Sequence, residues 1–347
     1  EGHPLEILAY KSDVRPYLSD SLDGDATEEV DEAINIARVL MTPAQNIREQ
    51  ALRVIDFLSI TLRQTTVSSG ELNNFTLTIL PEVDVVSPFQ VITIYGLINT
   101  STPTGQIPIV SPFASFGNWS HENGTLVFAL DDTLPRNRSH TFTFELRNPL
   151  LGQEAPVVSF RMTKTEANNV SWTASERKVE NPADVHIKPL HVATFNTKVI
   201  GQSNFRGSQK NVLTVTLVPN VDLGRPANNE QDTFAITISG LENAQHPTGT
   251  ISLLTTDSTA CGGNCTVHFA DAPNGTAGRG YWQGDSVGDE AIVLYIAQPL
   301  LALQTYMFAF EITNPAAGQK SPSVKVESHG INSRISRIAM DKGGGDS

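Results

Sequence analysis

Cysteine is almost missing from this 347-residue chain, which has two, and long apolar runs, an excess of basic charge and catalytic signatures are missing with it. No stretch of 18 apolar residues occurs. The longest candidate, Ile292 to Leu303, is broken by Gln298 and Pro299 and reads as a buried strand and turn, so no membrane insertion is expected. Lys and Arg number 24 against 37 Asp and Glu, a net charge of −13 that repels phosphate backbones and anionic lipid, so nucleic acid is not expected as a partner. The eight histidines include no His-Glu-x-x-His pair, and there is no Gly-x-Ser-x-Gly elbow or Gly-x4-Gly-Lys-Ser/Thr loop. Gly278-Arg279-Gly280 is too short for a dinucleotide fingerprint. Neither an enzyme nor a cofactor is expected.

The two cysteines that exist, Cys261 and Cys265, bracket Gly262-Gly263-Asn264, a flexible span that brings them within disulfide reach. Metal binding with His268 is the rival, but Cys-x3-Cys-x2-His offers three ligands and no second cluster, so no metal site is expected. Acid/base or calcium chemistry would have to come from Asp131-Asp132, from Asp84 and Asp222, or from Glu145 and Glu311. The first pair precedes a turn, the second recurs in one repeated loop, and the third lies on the strand face opposite a Phe pair. Each position predicts a structural role.

What the chain does have is a repeat. Thr141-Phe142-Thr143-Phe144-Glu145-Leu146-Arg147-Asn148-Pro149 returns as Met307-Phe308-Ala309-Phe310-Glu311-Ile312-Thr313-Asn314-Pro315, and both copies continue through Gly-Gln-x-x-Pro to a further alternating run. Alternation puts the aromatic residues on one strand face, and Asn-Pro ends the strand. Upstream, Phe75 to Asp84 matches Leu213 to Asp222, Ile92 to Leu97 matches Ile236 to Leu241, and one Trp per copy, Trp119 or Trp282, would plug a core. Seven or so short strands with frequent turns predict an antiparallel sandwich in each copy. The second copy adds a loop over about 255–280 that holds both cysteines.

The N-terminal part breaks this pattern. Asp25 and Glu28, then Thr42-Pro43-Ala44-Gln45, have helix-start spacing, and Ile47, Ala51, Ile55, Leu58 and Leu62 form a stripe at helical period. Helices are expected over about 27–40 and 43–63. Ahead of them, Pro4-Leu5-Glu6-Ile7-Leu8-Ala9-Tyr10 is similar to Pro189-Leu190-His191-Val192-Ala193-Thr194-Phe195, a lead-in strand. The expected layout is thus mainly β: an extended segment 1–24, a helical hairpin insertion 25–70, a first sandwich 71–163, a linker 164–190, a second sandwich 191–328 and an extended tail 329–347. The fold class is two tandem immunoglobulin-like antiparallel β-sandwiches with an inserted N-terminal helical hairpin.

Eight Asn-x-Ser/Thr sequons occur, at Asn74, Asn99, Asn118, Asn123, Asn137, Asn169, Asn264 and Asn274. Roughly three or four would arise by chance, and the excess predicts N-linked glycans and an extracellular or cell-surface location. Glu1-Gly2-His3-Pro4 lacks a signal-peptide pattern, as in a mature or excised form. Thr197 to Ser203, Leu213 to Leu217, Ile238 to Leu241 and Thr313 to Pro322 together resemble a repeat of long secreted or surface proteins of unicellular algae and other protists, one with no assigned activity. The resemblance covers about 190–328 well and 72–163 more loosely, and it implies a multi-module extracellular protein. The expected function is a structural glycoprotein subunit of a filament or surface coat. Its partner would be itself, as a homopolymer joined head to tail through sheet edges, with Leu5, Ile7, Leu8 and Tyr10 in the donated strand. The alternative is an adhesin or carbohydrate-binding module using the 255–280 loop and Trp282.

Overall fold

The computed structural model describes residues 57–343, apart from 87–89, 166–170, 174–175, 181, 225–232, 257–259, 285–289 and 332. Among the described residues the fold is mainly β and is built as two modules. In the first, β1 (Phe57–Gln64), β2 (Leu72–Pro81), β3 (Gln90–Tyr95), β4 (Gly105–Ser111), β5 (Ala114–Ser120), β6 (Thr125–Ala129), β7 (His140–Arg147), β8 (Ser159–Thr165), β9 (Ser171–Thr173) and β10 (Arg177–Lys178) follow in chain order. Their spatial order is β1-β2-β7-β4-β5-β6-β3-β8-β10, with β9 against β8. β4 belongs to two layers: Gly105 to Pro108 pair with β5, whereas Val110 faces Thr143 of β7.

The second module repeats this path with β11 (Phe195–Gln202), β12 (Lys210–Pro219), β13 (Ala235–Ser239), β14 (Gly249–Thr255), β15 (Phe269–Ala270), β16 (Arg279–Gln283), β17 (Ala291–Ile296), β18 (Tyr306–Thr313), β19 (Lys325–His329), β20 (Ile335–Ala339) and β21 (Asp341–Lys342). The order is β20-β19-β13-β17-β16-β14-β18-β12-β11-β21, with β15 against β17. Registers coincide. Phe57 opposes Pro81 and Phe195 opposes Pro219, each just before a bulge, and Phe75 faces Phe144 as Leu213 faces Phe310.

Alternation explains why these segments are strands. Along β2 and β12 every second residue is buried, Phe75, Leu77 and Ile79 in one and Leu213, Val215 and Leu217 in the other. Trp119 with Phe142, Phe144 and Phe160 fills the first core; Trp282 with Phe269, Phe308 and Phe310 fills the second. Each such aromatic contributes about 1.5–3 kcal/mol by leaving water.

The expected helix over 43–63 is corrected where the structure describes it, because Phe57–Gln64 is β1. Beyond the bulge after Phe57, the buried residues of β1 are Ile60, Leu62 and Gln64, a period of two, and Leu58 of the expected helical stripe is exposed. Eight residues, too few for a stable isolated helix, gain more from the ladder with β2. Residues 65–70 of the expected helical hairpin form the loop after β1; its residues 25–56, and the segment 1–24 with Leu5, Ile7, Leu8 and Tyr10, lie outside the described residues. The stretch expected as a linker, 164–190, contributes β9 and β10, and the stretch expected as a tail, 329–347, contributes β20 and β21. After β10, Glu180 bridges Thr61 in parallel; after β20, Asp341 and Lys342 pair in parallel with Val199 and Ile200. In both modules the closing segment therefore lies along the outer edge of the first strand.

Candidate assembly site

At one corner of each module a buried asparagine pair ties the first hairpin loop to the Asn-Pro turn. Asn73 Oδ1 accepts from the backbone N–H of Thr65 and Thr66, and its Nδ2 donates to Gln64 Oε1 and to Asn148 Oδ1 at 2.8 Å. Asn148 in turn donates to the carbonyls of Thr66 and Ser68. The second module repeats each bond with Asn211 on Ser203, Asn204, Gln202 and Asn314, and with Asn314 on the carbonyls of Asn204 and Arg206. The following turn is also repeated. Asn99 donates to Gln153 Oε1 at 2.8 Å, as Asn243 does to Gln319 Oε1 at 2.8 Å.

In the first module this corner is where the second module sits. Gln153 and Val192 exchange both backbone hydrogen bonds, at 3.0 and 2.9 Å, and Gln153 Nε2 donates to Leu190 O. Gln64, itself buried, accepts from Leu190 N and donates to His191 O. A Cβ on Gly152 would stand 2.2 Å from Ala193 O, so only glycine lets the incoming chain this close. The hairpin loop reaches further. Val67, 1% exposed, packs in the second module's core, while Leu190 packs in the first module's. Ser69 N donates to Arg334 O, and Ser336 N donates to Ser69 Oγ, so the loop runs along β20.

His191 is the titratable group in this junction. Its Nε2 donates to Asn220 O and its Nδ1 stands 3.5 Å from the Glu154 carboxylate. Burial lowers its pKa despite the hydrogen bond to Asn220 O and the nearby carboxylate of Glu154, both of which act in the opposite direction.

The same corner of the second module is open. Phe205, at the position of Val67, is 86% exposed. Gln202, at the position of Gln64, is exposed and keeps its bond from Asn211. Arg206 and Gly207 are exposed where Ser68 and Ser69 are buried. A Cβ on Gly318, at the position of Gly152, would meet nothing within 4 Å. Beside Gly318 and Gln319 runs an open groove of about 760 Å³, bordered also by Asn243, His246 and Pro315.

Apart from Asn99, the candidate site residues singled out from sequence fall elsewhere. Cys261 and Cys265 form a disulfide with Cα atoms 5.4 Å apart, which removes both as thiolate ligands. Asn74, Asn99, Asn118, Asn123, Asn137, Asn264 and Asn274 are all exposed; Asn169 lies outside the described residues. Trp282 is fully buried, so it has no face to stack on a sugar, contrary to its expected place in a carbohydrate site. Asp84 accepts from Arg136 N at 2.7 Å and Asp222 from Ala302 N at 2.8 Å, the same loop tie in both modules. Asp131 accepts from Ser115 and Asp132 from Thr133 N, and Glu311 pairs with Lys210 at 2.6 Å. Among the described residues no three His, Cys, Asp or Glu side chains cluster to hold a metal, and no helix is long and apolar enough to cross a membrane. Sequence reasoning missed Gln64, Val67, Gln202 and Phe205. Aligning Phe57 with Phe195 would have found them, since each lies 138 positions from its counterpart.

No protein-family model and no curated protein matches the chain. Among solved structures, the C-terminal domain of the Streptococcus agalactiae AgI/II polypeptide BspA is 7% identical with a TM-score of 0.38, covering 81% of this chain and 98% of that one. The collagen adhesin of S. aureus is 9% identical with a TM-score of 0.22, over 82% of this chain and 91% of that one. BcpA, the major pilin subunit of Bacillus cereus, is 9% identical with a TM-score of 0.27, over 81% and 63%. Likeness at this level carries no argument about what the chain does.

Proposed function

We propose that the chain is an extracellular, N-glycosylated structural protein of a cell surface or filament, built from two immunoglobulin-like sandwiches, whose copies join head to tail. It performs no catalysis. The observation that carries this reading is the repeated junction corner: filled by the second module at one end, it recurs at the other with Phe205 exposed and Gly318 facing open space. Phe205 is 86% exposed at the position where Val67 is covered by the second module, so it is the side chain that a module seated on the open corner would cover. Such a contact joins two different faces and leaves a free face at each end, which yields a fibre wherever its rotation does not close a ring. The exposed sequons support a location where glycans are attached.

Electron microscopy of the purified chain over a range of concentrations tests the reading. Linear assemblies that lengthen with concentration are expected; particles of one module pair at every concentration would reject it. The adhesin reading keeps the 255–280 loop but loses Trp282 to the core. Specific capture of the folded monomer on a glycan array, weakened by reducing the Cys261–Cys265 bond, would favour it instead.

A further inference from the structure

We infer that the open corner of the second module seats residues 51–57 of a second copy of this chain. The inference rests on the head-to-tail reading and names its two faces. The two modules start their first strands in one register. β1 and β11 begin at Phe57 and Phe195, which oppose Pro81 and Pro219 with the same bulge. Reading back from those two residues, Ala51-Leu52-Arg53-Val54-Ile55-Asp56 stands where Pro189-Leu190-His191-Val192-Ala193-Thr194 stands. Leu52 falls on Leu190, Val54 on Val192 and Ile55 on Ala193. The first module thus has the apolar positions by which the second module is held.

The backbone and amide partners for that segment are present on the open corner, with Lys320 standing where Glu154 does. Gln319 takes the place of Gln153, so its backbone exchanges two hydrogen bonds with Val54 of the second copy and its Nε2 donates to the Leu52 carbonyl. Gln202 takes the place of Gln64, and its side chain bonds Leu52 N and the Arg53 carbonyl. Gly318 admits the Ile55 carbonyl as Gly152 admits that of Ala193. Phe205 leaves water for the second copy's first core, as Val67 does for the second module's core. A Cβ at 318 is free of contact within its own chain, so glycine there has no intramolecular steric reason. The close approach of another backbone supplies one.

Residues 51–57 are preferred over Leu5 to Tyr10 because they run directly into β1, as Pro189 to Thr194 run into β11. Seating by Leu5 to Tyr10 would place no first strand in register behind the lead-in.

The test is cysteine cross-linking in the full chain. A hydrogen-bonded antiparallel pair has Cα atoms about 5.5 Å apart, within disulfide reach. Gln153→Cys with Val192→Cys should close within one chain and serves as the positive control. Gln319→Cys with Val54→Cys should give a ladder of covalent multimers on a non-reducing gel, and either single variant should stay monomeric. Filaments without that ladder, or an equal ladder from Gln319→Cys with Ile7→Cys, would overturn the seat while leaving the head-to-tail reading standing. Monomers alone at every concentration would overturn both. Gly318→Val should lose assembly with its melting temperature unchanged, and assembly as in the unaltered chain would count against the seat.

Discussion

Asn148 and Asn314 hold their corners by the same three side-chain bonds, one accepted from a partner asparagine and two donated to loop carbonyls, and both residues are buried. Removing one amide leaves buried carbonyls and a donor unpaired, at roughly 1–3 kcal/mol per orphaned group. Asn148→Ala should therefore lose about 2–4 kcal/mol in urea unfolding, and Asn314→Ala a similar amount; Asn74→Ala, exposed, should lose none. Gly152 and Gly318 give a second contrast. Gly152→Val must push the incoming backbone away and should cost the junction more than about 2 kcal/mol, whereas Gly318→Val leaves monomer stability unchanged.

His191 gives the junction a pH dependence of definite sign. Its pKa is lowered from 6.5 by burial, so the neutral form is favoured in the folded junction. The stability this contributes is present above pH 6.5 and is lost as pH falls below that value toward the lowered pKa. Protonation would place a charge among Lys188 and His186, with only Glu154 to answer it. Urea midpoints measured from pH 8 to pH 5 should fall more steeply for the unaltered protein than for His191→Gln; parallel curves would remove His191 from the account.

Among the elements, those with one clear period were legible, and those that were short or fitted two periods were not. The strands around Phe75 to Ile79 and Phe142 to Leu146 alternate cleanly over eight or more residues, and their second copies repeat the alternation. β1 was hidden because Ile55, Leu58 and Leu62 also fit a helical stripe, and only pairing with β2 decides between the periods. β10 and β21, two residues each, carry too few side chains for any period. β20 is held through β19 and through the loop at Ser69, 265 residues or more away from Arg334 in sequence. That loop yields a prediction for its element. Val67→Asp puts a charge into the second module's core and should separate the modules, seen as two unfolding steps in place of one. The 255–280 loop is tied by a disulfide spanning four positions, so Cys261→Ser with Cys265→Ser should cost at most about 2 kcal/mol and leave the strands intact.

For the whole molecule, the repeat was visible in the sequence and the junction was not, because Val67 and Phe205 differ in type and Gln64 and Gln202 are ordinary polar residues until both modules are in place. What distinguishes them is occupancy: one corner carries a module and the other carries solvent. The account therefore depends on the second corner binding what the first one binds. Sedimentation velocity of the full chain over a hundredfold concentration range, beside Phe205→Asp, measures this directly. The account predicts a sedimentation coefficient that climbs with concentration for the unaltered chain and stays at the monomer value for the variant; a monomer value for both, or the same climb in both, would contradict it.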